Sequence, residues 1–135
     1  MTRPVVVLGA TGSIGSQTIE VATSLGLEIA ALAARSPSPK LAELALAHPN
    51  ARVLVAGGSS EEREDFTRLV GRSVEFGADA VIDAARIPGT VVVNGIVGAA
   101  GLRATMAGLE SGNRVALANK ESLVAGGPVV KRALA

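Results

Sequence analysis

Gly9-Ala10-Thr11-Gly12-Ser13-Ile14-Gly15 stands between the apolar run Val5-Val6-Val7-Leu8 and an amphipathic segment, Ser16 to Leu25. A β-branched run bounded by glycine reads as a buried parallel strand, and Ile14, Thr18, Val21, Ala22 and Leu25 recur at the spacing of one helix face. The chain therefore opens as strand, glycine turn, helix. Each glycine has its own task in a dinucleotide-binding turn of this kind. Gly9 permits the tight bend, Gly12 lets backbone amides approach a pyrophosphate, and Gly15 lets helix and strand pack closely. The unpaired amides and positive end of the helix dipole then favour an anion, and Thr11 and Ser13 add hydroxyl donors beside them. The spacing G-x-x-G-x-x-G is a variant of the commoner G-x-G-x-x-G. The competing reading is a glycine turn that serves structure alone; the flanking strand and helix favour nucleotide binding.

Outward from this stretch, composition narrows the classes. The 135 residues suit one domain with a sizeable core. Hydrophobic residues make up 48% and charged ones 19%, with a net charge of +1, so neither disorder nor a coat for a polyanion is suggested. Cysteine is absent and His48 is the single histidine, which excludes disulfides, thiolate metal sites and a histidine-rich metal cluster from this chain. The longest apolar stretch, Val91 to Leu102, is interrupted by Asn94 and several glycines and cannot span a membrane. The first strand begins almost at Met1, leaving no room for a signal or transit peptide, so a cytoplasmic protein is expected. Phe66 and Phe76 are the only aromatic residues, too few to form a stacking platform for nucleic acid.

Gly26 fits a helix stop, and Glu28 to Ala34 reads as the second strand. Arg35-Ser36 follows it, at about the ~20-residue distance from the glycine turn where NAD-specific folds place an acid for the adenosine ribose. No acid stands there. Arginine can pair with a 2′-phosphate in a bidentate, charge-assisted geometry, and Ser36 can donate a further hydrogen bond, so the pattern favours NADPH over NADH. The alternative is that Arg35 is a solvated loop residue.

Ser36-Pro37-Ser38-Pro39 is a turn, and Lys40 to Ala47 a short helix with Leu41, Leu44 and Leu46 as core candidates. His48, beside a proline turn, reads as a surface residue. Arg52 to Ala56 is a third strand. Ser60 is the expected N-cap of the next helix, whose charged run Glu61 to Arg68 is a solvated face rather than a set of metal ligands. Val74-Glu75-Phe76 suits a brief strand and Gly77 to Ala85 a helix or turn, with no function assigned to them. Thr90 to Asn94 is the most convincing central strand, followed by the small-residue stretch Gly95 to Leu102, a helix from Leu102 to Glu110, and a strand from Arg114 to Ala118. A final helix is expected to start at Asn119-Lys120-Glu121-Ser122, with Asn119 as its N-cap.

This alternation predicts an α/β fold, a doubly wound, mostly parallel sheet with helices on both faces, in the manner of Rossmann domains. Ligands of such folds gather beyond the carboxyl ends of the strands. That edge would hold Gly9 to Gly15, Arg35-Ser36, Asn94 to Gly101 and Ala118 to Ser122. Lys120 could there meet substrate hydroxyls, a phosphate or a developing oxyanion, although a lone lysine is more often solvated.

Gly9 to Gly15, Asn94-Gly-Ile-Val-Gly-Ala-Ala-Gly-Leu102 and Leu117-Ala-Asn-Lys-Glu-Ser-Leu-Val124, in this order, resemble the 1-deoxy-D-xylulose 5-phosphate reductoisomerases. The last two blocks are far more specific to that family than the glycine turn, and the resemblance is thin from about Asn50 to Pro88. It implies that residues 1–135 are the amino-terminal NADPH-binding domain of an oxidoreductase of non-mevalonate isoprenoid biosynthesis. That enzyme rearranges and reduces a ketose phosphate to 2-C-methyl-D-erythritol 4-phosphate. By the same resemblance Thr11, Gly12, Ser13 and Ile14 fall at pyrophosphate and nicotinamide-side contacts, and Ala34, Arg35 and Ser36 at the 2′-phosphate. Asn119 and Glu121 match NADPH-binding positions and Lys120 a substrate-contacting lysine.

Two departures stand out: Ala10 replaces a common serine, and Ala34-Arg35-Ser36 replaces a glycine-led triplet. The family's divalent metal, Mg or Mn, is held by an Asp-Ser-Glu segment and a later Glu, which are expected beyond Ala135 together with the catalytic and carboxyl-terminal domains. The resemblance further implies a homodimer of full-length chains, a small sugar-phosphate substrate, no nucleic acid and no membrane, and a fragment that is catalytically inactive by itself. Two other classes remain: a free-standing NADP-binding sensor module, and another oxidoreductase such as an aspartate-semialdehyde dehydrogenase, which would need a cysteine nucleophile.

Overall fold

A computed structural model describes residues 3–117. Along them strands and helices alternate: β1 (Val5–Leu8), α1 (Ser13–Ser24), β2 (Ile29–Ala34), α2 (Pro39–Ala47), β3 (Arg52–Val55), α3 (Ser60–Val70), β4 (Glu75–Phe76), α4 (Ala78–Ala84), β5 (Val91–Asn94), α5 (Gly98–Glu110) and β6 (Arg114–Leu117). The strands form one sheet in the order β4-β3-β2-β1-β5-β6, and each neighbouring pair is parallel. From β1 the chain winds outward through β2, β3 and β4, then crosses to β5 on the other flank of β1. The order therefore reverses between β1 and β5.

Every residue of β1 is buried, as a strand covered on both faces requires. Because successive side chains point to opposite faces, Val5 and Val7 join a core with Ile19 and Ala22 of α1, Leu41 and Ala45 of α2, and Phe66 and Val70 of α3. Val6 and Leu8 join a second core with Val81 and Ile82 of α4 and Ala104 and Ala107 of α5. Among the described residues three helices thus lie on one face and two on the other, as the doubly wound reading expects.

Several boundaries and faces differ from the sequence reading. Helix α1 begins at Ser13 rather than Ser16, with Gly12 as its N-cap, and its buried residues are Gly15, Ile19 and Ala22. Of the expected face only Ala22 is buried; Ile14, Val21 and Leu25 are 46%, 57% and 68% exposed. The cause is Gly15. A Cβ there would lie 2.2 Å from the Gly9 carbonyl oxygen and 2.8 Å from Ala10 Cα, so the helix backbone rests directly on the glycine turn and fixes which side faces the sheet. Ile14 and Val21 instead line a groove of about 660 Å³ together with Val91 and Val93. Leu46, taken as a core candidate, is 59% exposed. The N-cap of α3 is Ser59, not Ser60, because Ser59 closes a reciprocal pair with Glu62. Helix α5 starts at Gly98 instead of Leu102, so five of the eight residues from Gly95 to Leu102 are helical. Among the described residues no helix is long and apolar enough to cross a membrane.

Candidate functional site

Where the strand order reverses, the turns after β1 and β5 lie against each other. Gly95 donates its N–H to the Leu8 carbonyl at 2.8 Å, and a Cβ on Gly9 would come within 3.2 Å of the Gly95 backbone. Gly9 also has φ +82°, a conformation side chains disfavour. On the other side, the N–H groups of Gly9 and Ala10 both donate to the Ala33 carbonyl at 2.9 Å, tying the turn to the end of β2. These contacts frame a cleft of about 520 Å³ at the carboxyl ends of the strands, lined by Gly9, Thr11, Gly12, Ala34 and Arg35, by Gly95 to Val97, and by Ala78, Val81 and Ile82 of the α4 region.

Gly12 differs from its two neighbours in the motif. Its φ of −78° is open to any residue, and a Cβ would meet only the Gly9 carbonyl oxygen, at 3.5 Å. The fold does not demand a glycine there. What its missing side chain does is keep the mouth of α1 open, which fits a group that must approach the backbone itself. The N-cap of α1 makes no side-chain hydrogen bond, and neither does Val97, the N-cap of α5, which lines the cleft. The first N–H groups of a helix have no intrahelical acceptor. Here two helix mouths whose first amides have no side-chain cap among the described residues open at one cleft, and their dipoles favour negative charge.

Asn94, at the end of β5, holds the far wall. It is buried; its amide donates to the Gly101 carbonyl at 2.7 Å and to Thr105 Oγ1 at 2.8 Å, while Oδ1 accepts from the Ile96 N–H at 3.0 Å. A buried polar side chain with three such bonds stiffens the turn between β5 and α5. The charge in the cleft comes from Arg35. Its carbonyl accepts from Gly57 N–H at 2.8 Å, fixing the backbone, and its exposed side chain meets no carboxylate among the described residues. An arginine on a fixed backbone beside bare amides suits a phosphorylated ligand.

Thr11, Gly12, Ala34 and Arg35 are thus brought together as the sequence expects. Ser13 is exposed on the first turn of α1 and Ser36 follows Arg35 at the surface. The Ile14 side chain lies in the groove on the outer side of α1, not in this cleft, so only its backbone could serve the site. Asn119, Lys120 and Glu121 lie outside the described residues. The α4 wall, to which no function was assigned, went unnoticed because Ala78, Val81 and Ile82 are apolar and carry no reactive group; Gly77 at a strand end was the available signal.

Residues 5–127 match the family model of 1-deoxy-D-xylulose 5-phosphate reductoisomerase. The chain is 40% identical to the Corynebacterium diphtheriae enzyme of that name over 96% of its own length and 35% of that protein's. To the Leifsonia xyli subsp. xyli enzyme it is 45% identical, over 98% of this chain and 32% of the relative. The chain therefore spans about a third of the length of the curated relatives it matches. Among solved structures, the Zymomonas mobilis reductoisomerase in complex with NADPH superposes with a TM-score of 0.86 at 39% identity, covering 99% of this chain and 36% of that one. A reductoisomerase in complex with NADPH, fosmidomycin and magnesium superposes with a TM-score of 0.85 at 31% identity, covering 98% of this chain and 34% of that one. The family model covers most of the chain and the fold is shared with these structures, so the chain belongs to the 1-deoxy-D-xylulose 5-phosphate reductoisomerase family.

Proposed function

We propose that residues 1–135 are the NADPH-binding domain of a longer reductoisomerase that converts 1-deoxy-D-xylulose 5-phosphate to 2-C-methyl-D-erythritol 4-phosphate in isoprenoid biosynthesis. The observation that carries this reading is the pair of uncapped helix mouths, α1 and α5, at the cleft that Arg35 lines. When bound, NADPH supplies the hydride for the reductive half of the reaction. This chain's own residues bind and orient it. Amides of Ser13, Ile14 and Gly15, with the Thr11 and Ser13 hydroxyls, hold the pyrophosphate. Arg35 and Ser36 take the adenosine 2′-phosphate at the end of β2, with Ala34 beneath. The wall formed by Gly95 to Val97 lets a flat ring lie close to backbone. Asn119 and Glu121 complete the cofactor site, and Lys120 reaches the sugar phosphate.

The divalent metal, Mg or Mn, belongs in this reading to the part of the relatives that the chain does not span. So do the homodimer and the catalytic domain, and the working compartment is the cytoplasm. Titration calorimetry of the 135-residue chain with NADPH and NADH tests the cofactor assignment. NADPH should bind more tightly, and Arg35→Asp should weaken it about thirty-fold, the equivalent of about 2 kcal/mol for a lost charge-assisted hydrogen bond. Equal affinity for the two nucleotides, unchanged in the variant, would remove Arg35 from the site.

A further inference from the structure

Lys40 stands beside the glycine turn without any assigned role. It is the second residue of α2, and its Nζ donates to the Thr11 carbonyl at 3.0 Å, bridging 29 positions of sequence. Thr11 lines the same cleft as Arg35. The lysine is exposed and meets no carboxylate among the described residues. Its one acceptor is neutral. An ammonium carries three N–H donors, so two remain for another partner, and nothing in contact with it cancels its charge.

The amino end of α2 offers nothing equivalent. Ser38 caps it, accepting from the Leu41 N–H at 3.1 Å, and Pro39 has no N–H to give. Positive charge on this flank of the cleft must therefore come from side chains. In folds of this topology the residue after the second strand meets the 2′ position of the adenosine ribose. That residue is Arg35; Lys40, five positions on, reaches the glycine turn from the first turn of α2.

On the reading that the cleft holds NADPH, we propose that Lys40 is a second specificity-determining cation, which with Arg35 clamps the 2′-phosphate while its bond to Thr11 holds the ammonium in position. A purely structural tether predicts something different. A lysine that only steadied the turn would help NADPH and NADH alike, because both share the pyrophosphate and the turn that receives it.

The two are separated by measuring the dissociation constants of NADPH and NADH for the 135-residue chain and its Lys40→Met and Lys40→Arg variants, with thermal unfolding as a control on folding. Lys40→Met should weaken NADPH about tenfold and leave NADH within about twofold, the loss of one charge-assisted hydrogen bond to a phosphate. Lys40→Arg should keep most of the preference. Equal weakening of both nucleotides makes Lys40 a tether and overturns the proposal, as does an unchanged NADPH constant while Arg35→Asp still weakens NADPH. If the wild-type chain binds neither nucleotide, the cofactor reading falls and the clamp falls with it.

Discussion

Helices α2 and α3 carry serine caps, while α1, α4 and α5 carry none. Ser38 accepts from Leu41 N–H, and Ser59 and Glu62 satisfy each other's backbone donors in a complete capping box. Such a cap contributes about 1 kcal/mol to a helix. The chain evidently has serines to spend on helix starts, and Ser13 and Ser16 lie within α1 itself. Yet Gly12, Gly77 and Val97 stand at the N-caps of α1, α4 and α5, the helices that line the cleft by a residue or a cap, and none supplies a side-chain acceptor. The helices that contribute no residue or cap to the cleft lining, α2 and α3, cap their own first amides; those that line it leave them for a ligand. The open mouths forgo stability that a cap would add, which is the pattern of a site whose function needs unpaired donors.

The sharpest way to break that contrast is to push α1 off the turn. In Gly15→Ala the new methyl carbon would sit 2.2 Å from the Gly9 carbonyl oxygen and 3.0 Å from the Ala10 carbonyl carbon, both backbone, so no side chain can swing aside to relieve it. Overpacking of this kind costs about 3 kcal/mol. Urea unfolding should show that loss, and NADPH binding should vanish in calorimetry, because the amides move with the helix. A variant that keeps both would mean that α1 sits farther from the turn.

A subtler change reverses the sign of the stability effect. Gly12→Asp finds its backbone already extended, with φ −78° and ψ 171°, and its Cβ meets an ordinary 3.5 Å contact. The carboxylate can cap α1 and complement its dipole, so the free chain should gain about 0.5–1 kcal/mol. The same carboxylate occupies the mouth and repels a pyrophosphate. NADPH affinity should fall by about a hundredfold or more, since both the shared amides and the like charge act against it. Gain in thermal midpoint with loss of NADPH is the expected pair of readings; tighter NADPH binding in the aspartate variant would contradict the assignment of this mouth to an anion.

These two glycines also mark how far the sequence could be read. Strand β1 was legible to the residue, because a four-residue β-branched and leucine run is closed by Gly9 and every position is buried. The parallel order was legible from the strand–helix alternation. The face of α1 was not. Ile14, Thr18, Val21 and Leu25 form a tidy apolar stripe, but periodicity reports only that a stripe exists, and the rotation of the helix is set by Gly15 lying on the turn. The cap of α3 was missed by one residue for a similar reason: Ser59 and Ser60 are both suitable, and the partner three residues on decides, Glu62 for Ser59 against Arg63 for Ser60. The cleft's Arg35 and glycines were readable because each residue type does one recognisable thing. Lys40, Asn94 and the α4 wall depend on contacts 29, 11 and more than 40 positions apart, which no local window contains.

On the capped side the mirror experiment is Ser59→Ala. It removes the acceptor for Glu62 N–H, 3.1 Å away, on a helix with no residue in the cleft. The expected loss is about 1 kcal/mol in denaturant unfolding, with the NADPH constant unchanged. Weakened NADPH binding here would show that the two kinds of helix start are coupled and that capping does not sort them by function.

The smallest effect is a pH dependence confined to the same box. The Glu62 carboxyl is held below its ordinary value of 4.5, first by the Ser59 backbone N–H and then by the Ser59 hydroxyl. A carboxyl whose pKa is lower in the folded than in the unfolded chain stabilises the fold above the unfolded value, and that contribution is lost as pH falls through the folded one. Glu75 is also held down, chiefly by its hydrogen bond from the Arg52 guanidinium, and it too loses stabilisation in acid. A single unfolding curve would mix the two. The difference between wild type and Glu62→Gln isolates the cap, because Glu75 and Arg52 are common to both. That difference in thermal midpoint should be present at pH 7, shrink as pH falls below about 4.5 and vanish once the folded-state carboxyl is protonated. A difference that persists unchanged into acid would assign the Glu62 contribution to packing rather than to its charge on the Ser59 amide.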